Sequence, residues 1–377
     1  MVALVVGEPG VGKSRLRQEI GPALREHEPE LQIIVGRGDF MSRDSPMAMV
    51  GSLFRTALDI GEGEDRGRQR EKIEFAAGVT VPASERARVA EFLGEMMGVH
   101  FSDEASPQLR AARQSPQIMV AQITRAYVEF VCGFAQIFST VVLLDDLQWA
   151  DTASLELVAA ALGALQDSRY VVVAFARPEV DEHVAKLWAR QRVQRISLAP
   201  LSRRASRELV RAILDSVAGE RIEALVEHAG GNPLFLEELI RGHVEGHAEQ
   251  LPATLLGMLD VRLAGLQGEA RRVLRAASVF GESFWAAGLC ELLDEPRAVV
   301  DAHLAALVGA ELIVVHDQRR FAGQLEHGFR HVLMREGVYA KLTEHDRALA
   351  HARAATWLLD AGERDASVLA HHFELGG

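Results

Sequence analysis

Short apolar runs of strand length alternate with longer stretches of helical periodicity through the first half of the chain. The runs are Val2–Val6, Leu31–Val35, Thr140–Leu144, Tyr170–Ala176 and Arg195–Leu198. Strands that alternate with helices are typical of a parallel sheet with helices on both faces. The pattern therefore predicts an α/β domain over residues 1–200, built on a parallel five-stranded sheet.

Two of the helical stretches begin with clear start signals. Ser115–Phe138 is long and mostly apolar, with Ser115 suited to the N-cap and Pro116 to the first helical position. Leu201–Leu214 is amphipathic, and Ser202 is placed to cap it. Both segments are predicted as helices.

The stretch Gly61–Arg88 differs from its surroundings because it is rich in charged and polar residues. It opens with GEGEDRGRQREK. Charged, weakly periodic segments are typical of solvated structure. We expect an exposed insertion here, either helical or loose.

The second half of the chain is mainly helical. A short polar link at Glu245–Gln250 precedes Pro252, which suits the first turn of a further helix. A small β element comes later, with a strand at Leu312–His316, a turn near Asp317–Arg319 and a second strand from Phe321 onward. Helices with a two-stranded wing indicate a winged-helix-like domain.

Beyond about Glu344 the periodicity is purely helical, as in the first hairpin of a helical repeat array. Three units are predicted after the α/β domain. Residues 201–248 form a helical lid, residues 249–342 form the winged-helix-like domain, and residues 343–377 form the start of tetratricopeptide-like (TPR-like) helical repeats.

The segment Gly7–Ser14 reads GEPGVGKS and fits the phosphate-loop pattern G-x-x-x-x-G-K-[ST] at every position. It follows an apolar strand and precedes a helical segment, the context that the motif requires. Such a loop cradles phosphates with its backbone N–H groups and the N-terminus of the next helix. We expect Lys13 to reach the outer phosphates and the Ser14 hydroxyl to hold Mg²⁺. The predicted nucleotide-binding residues here are Gly7, Glu8, Pro9, Gly10, Val11, Gly12, Lys13, Ser14 and Arg15.

The strand Thr140–Leu144 ends in two acidic residues, Asp145 and Asp146. Mg²⁺ on a bound phosphate needs a carboxylate from a neighbouring strand, and Asp145 stands at the apolar-to-acidic step where that ligand belongs. Asp146 is placed to orient or deprotonate an attacking water. The alternative is a strand-end pair that caps the following helix.

A cation follows the apolar run Tyr170–Ala176, because the next residues are Arg177 and Pro178. The carboxyl ends of parallel strands face the ligand crevice, so Arg177 could sense a γ-phosphate through charge-assisted hydrogen bonds. A surface arginine before a turn proline is the alternative. The guanine-reading pattern Asn-Lys-x-Asp is absent, so we expect ATP or ADP rather than GTP. The predicted catalytic residues are Lys13, Asp145, Asp146 and Arg177.

Charge and cysteine content narrow the classes of partner. The net charge of −12 argues against broad binding to nucleic acid or to anionic membranes, which both need a positive surface. Cys132 and Cys290 are the only cysteines and lack metal-ligand spacing, so a reducing cytoplasm is the expected compartment. No apolar run reaches the roughly 18 residues of a spanning helix, and we expect no membrane association.

The motifs GEPGVGKS, VVLLDDLQWAD, AFARPE and GGNPLFLEEL occur in this order along the chain. Their order and spacing resemble the STAND class of P-loop ATPases, the signal-transduction ATPases with numerous domains. The similarity is greatest to the AAA-type ATPase module of large LuxR-type regulators and of bacterial fusions with serine/threonine kinases or nucleotide cyclases. It covers about residues 1–340.

The resemblance implies roles for individual residues. Gly7, Gly12, Lys13 and Ser14 match Walker A, Asp145 and Asp146 match Walker B, and Arg177 matches the sensor-1 arginine. Gly231, Asn232 and Pro233 match the G-x-P turn of the lid, where the proline packs near adenine; an ordinary turn between helices is the alternative. His331 resembles the histidine that reaches bound ADP in related switches, with a packed histidine as the alternative.

The chain also departs from the family pattern. The family's N-terminal segment, with its G-R-E-type motif that helps to enclose adenine, is absent before Val2. We therefore expect an N-terminally truncated nucleotide domain with reduced affinity. Asp146 is one methylene shorter than the glutamate of vigorous AAA+ motors, and no arginine finger for a neighbouring site is evident. These two features predict slow hydrolysis.

We therefore expect an ATP/ADP-binding signal-transduction ATPase module that acts as a nucleotide-dependent switch. Its expected partners are the nucleotide with Mg²⁺ and a protein partner or fused output domain outside this chain; nucleotide-dependent self-association stays open. The alternatives are an AAA+-like oligomeric motor and a non-hydrolysing scaffold fragment. DNA binding through the winged helix is disfavoured by the acidic charge.

Overall fold

The computed structural model describes residues 1–61, 63–165, 168–180, 184, 186–214, 217–244, 254–316, 320–321 and 323–377. At positions 255, 256, 258 and 259 only the backbone is described. The features predicted at Glu245–Gln250, at Pro252 and at the Asp317–Arg319 turn lie outside these residues.

Five parallel strands form the main sheet and confirm the predicted architecture. They are β1 (Val2–Val6), β2 (Gln32–Arg37), β3 (Thr140–Asp145), β4 (Tyr170–Ala176) and β5 (Val193–Ser197), in the order β2-β3-β4-β1-β5. Because β4 lies between β1 and β3, the chain leaves these three strands at one edge of the sheet. Gly7, Asp146 and Arg177 follow these strands and therefore share the crevice at their carboxyl ends.

Helices cover both faces of this sheet. They are α1 (Lys13–His27), α2 (Ala48–Ala57), α3 (Arg66–Thr80), α4 (Arg86–Met97), α5 (Pro107–Arg113), α6 (Pro116–Ile137) and α7 (Thr152–Ala164). Val5 and Phe175 share a core with Leu16 of α1, whereas Leu4 and Leu144 belong to the larger core on the opposite face. Burial on both faces explains why the strands are continuous apolar runs.

Among the described residues, α6 is the one helix long and apolar enough to cross a membrane by length and composition. Its Tyr127 and Phe130 rings pack on Phe54 of α2, with ring centroids 5.5 and 5.3 Å apart. Ser115 caps the helix as predicted, because its hydroxyl accepts a hydrogen bond from the Ile118 N–H. The apolar face of α6 thus packs within the α/β domain.

Most described residues of the polar stretch 61–88 are exposed or half-buried, as predicted, but one face of it contributes to the core. The helical alternative holds for most of it, because α3 and the start of α4 lie there. Ile73 and Ala77 are fully buried in the larger core, and Gln69, one turn earlier, is 7% exposed. These positions recur every four residues on one face of α3, and this narrow buried stripe is hidden in the composition by charged residues on the other faces.

Three helices form a separate small unit after the sheet. They are α8 (Arg203–Ile213), α9 (Gly219–Ala229) and α10 (Pro233–Val244). Val210, Leu225 and Leu236 form its core. The Ser202 hydroxyl accepts a hydrogen bond from the Ala205 N–H and caps α8 as predicted.

The remaining chain builds one helical body around a small sheet. Its helices are α11 (Leu255–Gly265), α12 (Gly268–Val279), α13 (Ala286–Leu293), α14 (Arg297–Gly309), α15 (Val332–Tyr339), α16 (Glu344–Ala361) and α17 (Ala366–Gly376). Its antiparallel strands are β6 (Ser283–Trp285), β7 (Ile313–His316) and β8 (Glu326–Phe329), in the order β6-β8-β7. The predicted two-stranded element thus has a third strand, β6, whose three residues give no periodic signal.

A single hydrophobic core runs through this C-terminal body. It includes Trp285, Leu304 and Leu358, and it also takes in Met41 from the segment that follows β2. The α/β domain therefore contributes a side chain to the core of the C-terminal body.

Candidate nucleotide site

The phosphate loop joins β1 to α1. Gly12 is the N-cap of α1, and the φ angles of Gly10 and Gly12 are 80° and 104°. Residues with a Cβ rarely adopt these values. Val11 is 7% exposed and anchors the loop. The loop runs directly into a helix N-terminus, which is the arrangement that binds anions.

Lys13 folds back over this loop. Its Nζ donates hydrogen bonds to the carbonyls of Gly7 at 2.6 Å and Glu8 at 3.0 Å. Burial lowers the pKa of Lys13, and Arg177 lowers it further, while Asp146 opposes the change. Lys13 is therefore a partly desolvated cation whose charge faces both the loop and the acidic strand end.

Ser14 and Arg15 follow Lys13 on the first turn of α1 and are exposed. Arg15 forms an ion pair with Glu19 at 2.6 Å, one turn along the helix. Such an exposed pair contributes at most about 1 kcal/mol and is easily exchanged for another anion.

Asp145 is the buried carboxylate of the site and is 2% exposed. Its Oδ1 accepts a hydrogen bond from the Asp146 N–H, and its Oδ2 lies 2.8 Å from Arg17 Nε. Oδ2 nevertheless has no hydrogen-bond partner of good geometry among the described residues. Burial raises the pKa of Asp145, with Asp146 adding to the effect and Arg17 opposing it. A buried carboxylate oxygen without a hydrogen-bond donor fits the donor set that Mg²⁺ requires.

Asp146 lies at the mouth of the crevice with both carboxylate oxygens engaged. Gln148 Nε2 donates to Oδ1 at 2.7 Å, and Arg37 Nε donates to Oδ2 at 3.1 Å. Arg37 also pairs through Nη2 with Glu282 of the C-terminal body at 2.5 Å. Burial opposes the charge on Arg37, yet Glu282 and Asp146 raise its pKa above the ordinary value.

Arg177 faces the C-terminal body. Its Nη2 lies 3.6 Å from Glu336 Oε1 on α15, and its backbone N–H donates to Gln148 Oε1 at 3.3 Å. Its side chain is 19% exposed. The predicted sensor thus sits between the phosphate loop, the acidic strand end and α15.

The start of α10 rests on the phosphate loop. Asn232 Nδ2 donates to the carbonyl of Pro9 at 3.3 Å, and the Leu234 N–H donates to the carbonyl of Gly10 at 3.2 Å. A Cβ at Gly10 would lie 2.9 Å from Asn232 Oδ1, so glycine permits this approach. Pro233, between the two donors, opens the helix against the loop.

Comparisons with known proteins identify a matching domain family and a relative. Residues 1–174 match the AAA ATPase domain family. An uncharacterized protein of Rhizobium meliloti (strain 1021) is 24% identical over 405 residues, and the match covers 100% of this chain and 37% of the relative. The chain therefore spans 37% of the length of that relative.

One solved structure shares this fold, and a second matches more weakly. The crystal structure of a STAND protein with a tetratricopeptide repeat sensor, from Pyrococcus horikoshii, matches with a TM-score of 0.54 at 16% identity, over 100% of this chain and 46% of that chain. The Aeropyrum pernix ORC1 protein in complex with DNA matches with a TM-score of 0.36 at 13% identity, over 90% of this chain and 86% of that chain. The chain has the fold of a STAND-class P-loop ATPase. Residues 1–174 are similar to AAA-type ATPase domains.

Within this STAND-class fold, His331 lies at the N-cap of α15. Burial, with Arg330 and Arg262 adding to the effect, lowers its pKa to about 4. Its Nε2 is buried without a hydrogen-bond partner among the described residues. His331 therefore sits on the same short helix as Glu336, as a neutral imidazole with a free ring nitrogen.

Sequence reasoning missed five residues at the predicted site, four of which contact it directly while Glu282 reaches it through Arg37. They are Arg17, Arg37, Gln148, Glu282 and Glu336. Arg37 ends β2 and pairs in register with Asp145, so the strand-end argument used for Arg177 would have found it. Glu282 and Glu336 come from distant elements, and no local pattern marks them.

Proposed function

We propose that this chain is an ATP/ADP-operated switch that hydrolyses ATP slowly and controls an output domain or partner outside it. The phosphate loop, from Gly7 to Ser14, binds the phosphates, with Lys13 at the outer ones. Ser14 and Asp145 would hold Mg²⁺, which would supply charge neutralisation for the phosphates. Asp146 orients the attacking water.

The contact between Arg177 and Glu336 carries the proposal. ATP offers a γ-phosphate that competes with Glu336 for the guanidinium, whereas ADP does not. Only a ligand that interacts differently with two states can shift their populations. Loss of a contact to α15 on binding of ATP provides this difference, so ADP favours the closed arrangement and ATP the open one.

The lid contact supports the same proposal. Asn232 and Leu234 hold the start of α10 on the phosphate loop, so phosphate binding and lid position are coupled. Pro233 then packs near the adenine, and His331 turns its unpaired ring nitrogen toward the bound ADP. Glu8, Pro9 and Arg15 border the phosphates.

The wider organisation is part of the proposal. The nucleotide domain comprises residues 1–200, the lid residues 201–248, a winged-helix-like domain residues 249–342, and the start of tetratricopeptide-like repeats residues 343–377. The protein acts in the cytoplasm, where Cys132 and Cys290 stay free thiols.

The test is to denature the freshly purified protein and to identify any released nucleotide by chromatography. Lys13→Ala is the test variant. Arg25→Ala is its control, because Arg25 is exposed in the last turn of the same helix. We expect about one ADP per chain from the wild type and from Arg25→Ala, and none from Lys13→Ala.

The outcomes separate the candidate functions. A wild-type protein that releases no nucleotide and also fails to bind added ATP·Mg²⁺ would overturn the switch and favour a scaffold. Turnover per chain that rises steeply with protein concentration would favour an oligomeric motor, since a motor completes its site across a subunit boundary.

A further inference from the structure

Arg37 links the predicted catalytic carboxylate to the C-terminal body. It ends β2, donates through Nε to Asp146 Oδ2 at 3.1 Å, and pairs through Nη2 with Glu282 Oε2 at 2.5 Å. Glu282 precedes β6 and its side chain is 15% exposed. One guanidinium thus bridges two carboxylates that belong to different parts of the molecule.

Glu282 lies in a cluster of carboxylates and arginines. Burial raises the pKa of Glu282 to about 7, and Asp146 and Asp39 add to this effect, while Arg37 and Arg335 oppose it. Without Arg37, docking of the C-terminal body would bring Glu282 close to Asp146 with less compensation for their like charges. Arg37 therefore reduces the repulsion between Glu282 and Asp146 in the docked arrangement.

The same contact changes what Asp146 can do. Its two oxygens already accept hydrogen bonds from Gln148 and Arg37. The Arg37 guanidinium therefore covers Oδ2 of this carboxylate. With both oxygens engaged, Asp146 is not free to orient an attacking water.

We propose that Arg37 is a positioning residue that couples docking of the C-terminal body to ATP hydrolysis, because Glu282 fixes it on Asp146 and so suppresses turnover. This inference rests on the proposed function. It assigns a regulator to the same site, namely a carboxylate supplied in cis by the C-terminal body.

Glu282 is needed because Arg37 alone would hold Asp146 weakly. The Arg37 side chain is 43% exposed, and an isolated ion pair at such a position contributes little. Two carboxylates restrict the guanidinium to one place, whereas one leaves it free to move. When Glu282 is withdrawn, Arg37 therefore moves away from Asp146 for part of the time and leaves its carboxylate free.

The experiment measures single-turnover hydrolysis of ATP bound to the full chain, with ATP affinity measured separately. The variants are Arg37→Gln, Glu282→Gln and the double variant. Arg43→Gln is the control, because Arg43 follows on the same segment, is 47% exposed and pairs with Asp44 instead. A positioned base contributes roughly 10²–10⁴-fold, so partial release should raise the rate by about threefold to tenfold.

Three results are expected together. Arg37→Gln and Glu282→Gln each raise the single-turnover rate. The double variant is no faster than either, since both substitutions remove the same interaction with Asp146. Arg37→Lys restores part of the suppression, because it keeps the charge. Asp146→Asn abolishes the gain in the Arg37→Gln background, because the gain acts through that carboxylate.

The opposite results overturn the inference without touching the proposed function. A slower rate in Arg37→Gln with ATP affinity intact would make Arg37 a direct aid to hydrolysis. Unchanged rates in both variants would make the bridge purely structural. A wild-type chain that binds no ATP would instead contradict the proposed function, on which this inference rests.

Discussion

Glu336 Oε1 of α15 lies 3.6 Å from Arg177 Nη2 at the end of β4. Glu336→Gln removes the negative charge that competes with a γ-phosphate for this arginine. Ion pairs of this exposure contribute about 0–1 kcal/mol, so ATP affinity should rise by up to about fivefold. ADP affinity should stay the same, because ADP has no γ-phosphate. Calorimetric titration of both nucleotides measures the difference.

Glu344→Gln is the control for that substitution, because Glu344 is exposed at the start of the next helix. An equal change in affinity for ATP and ADP would contradict the assignment of Arg177 as a γ-phosphate sensor.

Asn232 has two roles at the start of α10. Its Oδ1 accepts a hydrogen bond from the Phe235 N–H at 3.1 Å, and its Nδ2 donates to Pro9. Asn232→Ala should lower the free energy of unfolding by about 1 kcal/mol through loss of the cap, and should also weaken nucleotide binding. Equilibrium binding of a fluorescent ATP analogue measures the second effect.

Ser202→Ala provides the matched comparison. Ser202 caps α8 in the same small unit, but its hydroxyl bonds to Ala205 rather than to the phosphate loop. It should cost a similar free energy of unfolding and leave affinity unchanged. If both variants bind nucleotide equally well, the lid contact does not support the site.

Gly133 of α6 lies against the end of α3. A Cβ there would lie 1.8 Å from the carbonyl oxygen of Thr80, so Gly133→Ala must push the end of α3 away. Overpacking of this kind typically costs about 1–3 kcal/mol. Urea denaturation should show a clear fall in the midpoint. Gly78→Ala, where a Cβ meets nothing within 4 Å, should be neutral or stabilising by up to about 1 kcal/mol, since alanine favours a helix.

His351 and His372 form a buried pair between α16 and α17. Their Nδ1 atoms lie 2.9 Å apart, and Tyr339 Oη lies 2.8 Å from His351 Nε2. Burial lowers the pKa of His351 to about 4 and that of His372 to about 3, with the neighbouring His371 and Arg335 adding to the effect. Both imidazoles are therefore neutral in the folded protein at pH 7.

This pair makes the folded protein sensitive to acid. A histidine has a pKa of about 6.5 when unfolded, so below that pH the unfolded chain binds protons that the folded chain does not. The free energy of unfolding should be fully retained above pH 6.5 and fall as the pH drops toward 4. Each buried histidine should contribute about 2 kcal/mol to the fall between pH 7 and pH 5.

His372→Asn tests this prediction, because asparagine keeps a hydrogen-bonding atom but does not titrate in this range. Urea unfolding at pH 7 and pH 5 should show a pH dependence about 2 kcal/mol smaller than that of the wild type. His345→Asn, at an exposed position on α16, should leave the pH dependence unchanged. An equally steep fall in all three proteins would place the acid sensitivity elsewhere.

The sheet and the phosphate loop could be predicted because their signals are local. A strand buried on both faces is a continuous apolar run, and the geometry of the phosphate loop requires glycines at fixed spacing. Ser115 and Ser202 likewise predicted the starts of the helices that they cap. The place of Asp146 and Arg177 followed from one rule, that parallel strands end at the same edge.

The other features depend on tertiary packing. The stripe formed by Gln69, Ile73 and Ala77 was too sparse to show through a charged composition. Strand β6 is too short to have a period. The partners Glu282 and Glu336 reach the site only because the C-terminal body packs against the end of the sheet, and no local pattern encodes that contact.

Met41 has a consequence for the modularity of this chain. Met41 belongs to the segment that follows β2, but its side chain packs in the core of the C-terminal body, where it is 5% exposed. It lies against Gly281. A fragment that ends with the lid would leave this side chain in water, and a C-terminal half transplanted onto another ATPase domain would have a hole in its centre. The ATPase domain and the helical body are therefore not interchangeable. Recombination between relatives must keep Met41 together with the core residues that surround it.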